Sequence, residues 1–172
     1  MSKWVSGFIF KGLVLFSVFS AMTAFPLVRV AFLELVDIHG RPFRLEPDFP
    51  YGHIAISFEN GWVHSYPGVG VEWVSYTKLK TYGRVREFID LDIPALSHAQ
   101  VNEIMGLPYD TEFSWGGDKV YCSELVAKML RMKPVPMHFD PKIWPAKYQQ
   151  FEGLPGISPG IIYRRLKQGL IE

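Results

Sequence analysis

The run DKVYCSELV at residues 118–126 contains the only cysteine of the chain, Cys122. Apolar residues recur at helical spacing after it: Leu125, Val126, Met129 and Leu130. This pattern predicts an amphipathic helix over about residues 118–132, with the thiol near its beginning. Unpaired backbone N–H groups and the positive end of the helix dipole both favour a thiolate there. Cys122 is therefore a candidate nucleophile, and its alkylation by iodoacetamide is expected to be fast well below about pH 8.5.

A nucleophilic cysteine needs a base, and the hairpin upstream offers two histidines. His53 begins a strand that runs to Phe58, and His64 lies on the returning strand after a turn at Asn60-Gly61. For a two-residue turn at this place, the numbers of two residues that pair across the hairpin add up to about 121. Ser57 would then face His64, and both imidazoles would project from one face of the sheet. In the first of these strands, residues 53–58, apolar residues alternate with other residues, which predicts that the strand is half-buried.

Each of these residues also has a structural interpretation. A lone cysteine is commonly a small, buried apolar residue, and a histidine in a strand is commonly a hydrogen-bonded structural group. The two histidines could ligate a metal together with Asp90 or Asp92, but no HExxH-type spacing supports a metal site. The other histidines have loop or exposed-helix contexts and are predicted at the surface: His39, His98 and His138.

The remaining segments alternate between strand and helix patterns. Residues 69–74 predict a third strand. Residues 84–93 predict a further strand with four apolar residues on one face: Val85, Ile89, Leu91 and Ile93. Ser97 and Gln100 form a capping box for a helix that ends at Gly106. The proline-rich region after Met132 predicts an irregular wrap with short elements. Strands followed by helices indicate an α+β fold, with an antiparallel sheet packed against helices.

Residues 1–28 differ in character from the rest of the chain. Lys3 and Lys11 precede a stretch without charge from residue 12 to residue 28. A basic beginning, an apolar centre and small residues near Ala21 and Ala24 predict a signal peptide. A retained N-terminal membrane anchor is the second interpretation, and a buried core helix is the third. Both leading interpretations place a domain of residues 29–172 outside the cytoplasm, either exported to the periplasm or the extracellular space or anchored to the membrane.

Length, charge and cysteine content limit the class of protein. The 172-residue chain is long enough for one domain with a core. Its formal net charge is +1 and no basic stripe is present, so the sequence does not predict nucleic-acid binding. A single cysteine excludes an internal disulfide framework and a cysteine-based zinc site. No cofactor is predicted.

Four short runs follow one another along the chain: GHIAI at residues 52–56, WVHSYPGVGV at 62–71, LPYD at 107–110 and YCSELV at 121–126. In this combination the chain resembles the YiiX/YebB-like cysteine hydrolases, which belong to the circularly permuted branch of the NlpC-type papain-like superfamily. Lecithin retinol acyltransferase belongs to the same permuted group. The resemblance implies a permuted papain-like fold, in which the histidine strand precedes the cysteine helix.

The resemblance also implies roles for individual residues. Cys122 would be the nucleophile, His53 the base and His64 the polar residue that orients the base. Tyr109 matches a tyrosine that helps to stabilise the oxyanion, and Glu124 is expected to have a structural role such as capping or pairing. The implied enzyme is a cysteine peptidase or amidase with a Cys-His-His triad.

Three functions are compatible with these residues. The leading hypothesis is hydrolysis of an amide bond in a peptide or acyl-amide substrate, such as a cell-wall peptide of peptidoglycan. A second is a lipid-directed acyltransferase or thioesterase of the same fold, held at the membrane by the N-terminal segment, with an acyl groove lined by Trp73, Trp115 or Trp144. A third is a non-catalytic binding module, although such a module would not need Cys122, His53 and His64 together.

Overall fold

The computed structural model describes residues 27–171, which form an antiparallel sheet with helices packed on it. The strands are β1 (Val28–Val36), β2 (Pro42–Phe43), β3 (His53–Phe58), β4 (Gly61–Tyr66), β5 (Gly70–Val74), β6 (Arg84–Leu91), β7 (Val135–Pro136) and β8 (Pro155–Gly156). The α-helices are α1 (Tyr76–Leu79), α2 (His98–Asn102), α3 (Cys122–Met129) and α4 (Pro159–Lys167), and a 3₁₀ helix covers Ala146–Phe151.

The main sheet has six strands, and all of its pairings are antiparallel. Its order is β2-β1-β3-β4-β5, and β6 pairs with β1. The short strands β7 and β8 form a separate pair. The predicted antiparallel sheet with packed helices is therefore confirmed.

The turn of the β3–β4 hairpin differs from the prediction. Ile56 pairs with Val63, which places the two-residue turn at Glu59-Asn60 instead of Asn60-Gly61. Glu59 adopts a positive φ of 51°. Gly61 is instead the first residue of β4, where any side chain would overlap the ring of Trp73. The pairing therefore shifts by two residues, and because side chains alternate with a period of two, the two histidines still share a face.

Both faces of β3 are covered, so this strand is not half-buried as its alternation predicted. On one face Ile54 and Ile56 belong to the main core, which contains the apolar side of α3. On the other face Ala55 belongs to a second cluster with Trp62 and Leu79. By alternation, His53 and His64 lie on the Ala55 face, and α3 packs on the opposite face.

An irregularity in β6 changes a second predicted face. The register of β1 against β6 shifts between Phe32 and Leu33. As a consequence Ile89 packs against the main core and Val85 against the second cluster. The prediction that both lie on one face is wrong, because a bulge reverses the side on which alternate residues point.

The beginning of α2 matches the sequence pattern, whereas that of α3 does not. Ser97 and Gln100 form the predicted capping box, and Gly106 has a φ of 78° after the helix. The cysteine helix begins at Cys122 itself, not near residue 118. Residues 118–121 remain outside the helix because the N–H of Val120 donates to the carbonyl oxygen of Pro108 at 2.9 Å.

The region after Met132 contains short elements, as predicted, and also a regular helix that was not predicted. Helix α4 is capped by Ser158, whose hydroxyl accepts a hydrogen bond from the N–H of Ile161, and Pro159 is the first residue of the helix. Both residues are standard signals for the start of a helix.

The predicted signal peptide or anchor lies, up to residue 26, outside the described residues. Strand β1 begins at Val28, and the division into residues 1–28 and 29–172 stays a prediction. Among residues 27–171, none of the helices has the length and apolar character needed to cross a bilayer.

Candidate active site

A cleft of about 470 Å³ opens where β3 and α3 begin. Both His53 and Cys122 line it, although the side chain of His53 lies on the Ala55 face of the sheet and α3 packs on the opposite face. Both residues reach the cleft because each is the first residue of its element, at the end of the sheet. The cleft is also lined by Tyr66, Tyr82 and Tyr109.

Cys122 is the first residue of α3, and only 6% of its surface is exposed. Burial raises the pKa of the thiol to about 11, although the backbone N–H of Ile54 and the Ser123 hydroxyl act in the opposite direction. The expectation of a ready thiolate is therefore reversed. Removal of the sulfur from water disfavours its charged form more than the helix beginning favours it.

His53 is likewise held in its neutral form. Its side chain is 3% exposed. Burial, and to a smaller extent the charge of the nearby His64, lowers the pKa of His53 well below the usual value of 6.5. A neutral thiol and a neutral imidazole thus share the cleft in the resting protein. Proton transfer between them would have to accompany chemistry at the sulfur.

The raised pKa of Cys122 predicts slow alkylation. Against a thiol of pKa about 8.5, a thiol of pKa about 11 has roughly 10²-fold less thiolate at pH 8. We expect iodoacetamide labelling of Cys122 to be slower by about this factor, and to accelerate about tenfold per pH unit up to about pH 11. Peptide mass spectrometry after timed quenching measures the rate. Half-maximal labelling below pH 8.5 would instead indicate a preformed thiolate–imidazolium pair.

A series of hydrogen bonds leads from His53 into the sheet. Nε2 of His53 lies 2.9 Å from Nδ1 of His64, and Nε2 of His64 lies 3.3 Å from Oε1 of Glu72. The Tyr82 hydroxyl donates to the same carboxylate oxygen. Burial, and to a smaller extent the hydrogen bond with Glu72, raises the pKa of Tyr82 to about 12, so this hydroxyl stays protonated. His64 is completely buried.

This series determines which nitrogen carries each proton. A carboxylate at Glu72 only accepts hydrogen bonds, so Nε2 of His64 must donate to it. Nδ1 of a neutral His64 then accepts, and Nε2 of His53 donates. Burial lowers the pKa of His64, which favours this neutral form. Nδ1 of His53 is left without a proton and is the atom that can act as a base.

Glu72 was missed by the sequence analysis, although a signal for it was present. It lies directly opposite His64 in the pairing of β4 with β5. It is also a charged residue between Val71 and Trp73 in a strand that is otherwise apolar. Residues that face each other across antiparallel strands are in contact range. Register reasoning extended by one strand would have placed its carboxylate beside the imidazole.

Tyr109 lies on the wall of the cleft next to Cys122. Burial, and to a smaller extent the charge of the nearby Cys122, raises the pKa of the Tyr109 hydroxyl. The group therefore remains a hydrogen-bond donor at every ordinary pH. Asp110 fixes the loop that follows by accepting hydrogen bonds from the N–H groups of Glu112 at 2.8 Å and Ser114 at 2.7 Å. The loop is thus held by a side chain at its beginning.

Glu124 has the structural role that was expected of it. Its side chain is fully buried, and Oε1 receives hydrogen bonds from Lys128 at 2.9 Å and from the N–H of Gly116 at 2.7 Å. Burial raises the pKa of this carboxyl. The residue ties the loop before the cysteine to the helix that begins with it, and it does not line the cleft.

The other candidate residues are distributed as follows. The histidines predicted at the surface are exposed: His39, His98 and His138. Asp90 pairs with Arg29 and does not approach the histidines. Of the three tryptophans considered for an acyl groove, Trp144 lines the cleft, Trp73 packs over Gly61 and Trp115 packs against the main core.

Three comparisons with known proteins bear on this geometry. A family model described as permuted papain-like amidase enzyme, YaeF/YiiX, C92 family, matches residues 73–163, which include Tyr109 and Cys122 but not the two histidines. The fold is similar to a crystal structure of metalloprotein yiiX from Escherichia coli O157:H7, with a TM-score of 0.58, 18% sequence identity, and coverage of 81% of this chain and 92% of that chain. No curated protein matches.

The yiiX protein is described as a metalloprotein, which raises the question of whether this chain contains a suitable set of metal ligands. Among residues 27–171, no three His, Cys, Asp or Glu side chains are grouped so as to hold an ion. Nε2 of His53 and both nitrogens of His64 already take part in hydrogen bonds. The residues that the structure describes therefore offer no fitting set of ligands for a metal ion.

Proposed function

Because the chain belongs to the permuted papain-like amidase family of YaeF and YiiX, we propose that it is a cysteine amidase or peptidase whose nucleophile is Cys122. The family and its α+β permuted fold are those that the sequence predicted. The cysteine, its partners and the bond that is cleaved belong to the proposal.

One observation carries the proposal: the hydrogen-bonded series from Glu72 through His64 to His53 ends at the cleft that Cys122 lines. A base held in one tautomer by a second group is the arrangement that activates a nucleophile. A binding module would gain nothing from three hydrogen-bonded polar groups that lead to a cleft lined by a thiol. The third hypothesis is therefore the weakest.

Acylation begins with the neutral thiol. Sγ of Cys122 attacks the carbonyl carbon of the amide while its proton moves to Nδ1 of His53. As the carbon–nitrogen bond breaks, His53 gives this proton to the leaving amine. His64 holds the imidazole and shares the developing positive charge with Glu72. The product of this half-reaction is a thioester on Cys122 and a free amine.

The tetrahedral intermediate requires donors for its oxyanion. The N–H of Cys122 belongs to the first turn of α3, where backbone donors have no partner within the helix. The hydroxyl of Tyr109 is a second donor beside the same residue. Preorganised donors of this kind commonly contribute about 3–4 kcal/mol each to a transition state.

Deacylation uses the same residues in the reverse direction. Water enters the cleft, and Nδ1 of His53 takes one of its protons as the oxygen attacks the thioester carbon. The carbon–sulfur bond then breaks and the proton returns to the sulfur. A second nucleophile in place of water would give acyl transfer, so the two enzymatic hypotheses differ only in this half-reaction.

The test is the covalent intermediate. Intact-mass spectrometry after rapid quenching should detect an acyl adduct when the protein is mixed with N-acyl amides of 7-amino-4-methylcoumarin, and peptide mapping should locate the adduct on Cys122. Fluorescence of the released amine gives the rate. Release of amine with no adduct, and with an unmodified rate after Cys122 is alkylated, would overturn the assignment.

Export of the domain is a separate part of the proposal. Residues 1–28 support it by their basic beginning and uncharged centre. Cell-wall peptides and acyl-amides are the substrates that we propose on that side of a membrane. Fractionation of cells that express the full chain, followed by mass measurement of its N-terminus, separates a cleaved signal from a retained anchor. Full-length protein in the cytoplasm would contradict both.

A further inference from the structure

Cys122 lies where two cavities meet. The larger is the cleft that His53 lines. The smaller has a volume of about 50 Å³ and shares six lining residues with the cleft, among them Tyr109, Cys122 and Trp144. We propose that the smaller cavity is the acyl subsite, and that it selects substrates whose acyl group carries a short apolar chain. The inference rests on the proposed function and specifies the substrate class of the same site.

The position of the base decides which part of the substrate lies on which side. His53 lines the larger cleft but not the smaller cavity. The leaving amine must receive its proton from His53, so the amine lies on the side of the larger cleft. The acyl group stays on Cys122 after the carbon–nitrogen bond breaks, and its chain extends on the other side. That side is the smaller cavity.

Several polar groups that line the smaller cavity already form hydrogen bonds within the protein. The Ser123 hydroxyl donates to the carbonyl oxygen of Ile157 at 2.8 Å, and the N–H of Ile157 donates to the Tyr121 hydroxyl at 2.9 Å. Glu46 accepts from the N–H of Gly160 at 2.8 Å. Because these groups already have partners, an incoming polar group gains little and loses its water.

Apolar side chains form most of the remaining lining, next to Tyr109, His138 and Ser158. Met137 is 8% exposed, and Phe139 and Ile157 are almost completely buried. None of these three lines the larger cleft. An apolar chain that binds among them moves from water to an apolar surface. Such burial generally favours binding by about 0.8 kcal/mol for each methylene.

The volume restricts the length of the chain. A group of the size of a water molecule needs about 10–15 Å³ of cavity volume. The 50 Å³ of the smaller cavity therefore accommodates roughly three to five methyl or methylene groups. This is the size of a propyl, isopropyl or isobutyl group, as in a butyryl or isovaleryl unit or an amino acid with an aliphatic side chain. A fatty acyl chain of eight carbons or more does not fit. The lipid-directed alternative is disfavoured on this ground.

A series of 4-nitrophenyl esters that differ only in acyl length tests the subsite, because the leaving group is constant. We expect kcat/KM to rise from acetyl to an optimum at about four or five carbons. A fall of at least about tenfold from that optimum to decanoyl is expected, as for pockets that discriminate by one or a few methylenes. A flat profile, or a continuous rise to decanoyl, would overturn the assignment.

Two matched variants locate the effect. Met137→Ala enlarges the smaller cavity and should move the optimum by roughly two carbons toward longer chains. Met132→Ala removes the same atoms from a buried methionine that lines neither cavity, and should leave the optimum unchanged. An equal shift in both variants would show that the profile follows general loosening. If Met137→Ala fails to fold, Ile157→Val removes a single methylene from the same lining and should widen the profile in the same direction.

The experiment separates this inference from the proposed function. Mass spectrometry of the esters' reaction reports whether Cys122 is acylated at all. No adduct with any ester contradicts the proposed function itself. An adduct on Cys122 whose rate is independent of acyl length contradicts only the acyl subsite.

Discussion

Cys122→Ala is expected to abolish amide hydrolysis, with a fall in kcat of at least about 10³–10⁴-fold, as when the nucleophile of a catalytic triad is removed. The sulfur is the atom that bonds to the substrate, and no other cysteine exists in the chain to replace it. Fluorescence of a released aminocoumarin measures the rate, and intact mass should show no adduct.

Val126→Ala is the matched control for this prediction. Val126 lies one turn further along α3, is fully buried in the main core and lines neither cavity. Its truncation should cost about 1–3 kcal/mol of unfolding free energy and leave kcat within a few-fold of the original. Cys122→Ala should show the opposite pattern, with a small change in stability and no activity. Residual activity above a few per cent in Cys122→Ala would assign the chemistry to another group.

Glu72→Gln is expected to lower kcat by about 10²–10⁴-fold, with little change in KM. The amide is nearly the same size as the carboxylate, so packing is retained, but it can donate a hydrogen bond to Nε2 of His64. That donation reverses both tautomers along the series, and Nδ1 of His53 then carries a proton and cannot serve as a base. Steady-state kinetics over a pH range give kcat and KM separately.

Glu59→Gln provides the control for Glu72→Gln. Glu59 also lies 3.3 Å from a histidine, His98, but this pair is exposed and does not line the cleft. We expect no change in kcat for Glu59→Gln. If Glu72 served only to join β4 to β5, the isosteric Glu72→Gln would leave kcat and its pH profile intact, and the positioning role would be disproved.

Local patterns in the sequence predicted the parts of the site that lie within one hairpin or one helix. Alternation placed His53 and His64 on the same face, and this survived a register error because the error was two residues. The capping box of α2 was likewise a matter of adjacent residues. Such features depend on contacts between near neighbours in the chain, which periodicity captures.

Features that depend on distant contacts were not predicted. The beginning of α3 is set by Val120 pairing with Pro108. The pKa of Cys122 is set by burial under the rest of the chain, which outweighs the local effect of the helix beginning. The smaller cavity is walled by Met137 and Ile157, from a region that the sequence suggested only as an irregular wrap.

The burial of Cys122 has a consequence for the lifetime of the enzyme. Peroxide and disulfides react with thiolates, and the first product of oxidation by peroxide is a sulfenic acid. A nucleophile that stays largely protonated until a substrate is bound presents very little thiolate to these oxidants between turnovers. The same packing that slows its ionisation therefore protects the single sulfur on which activity depends.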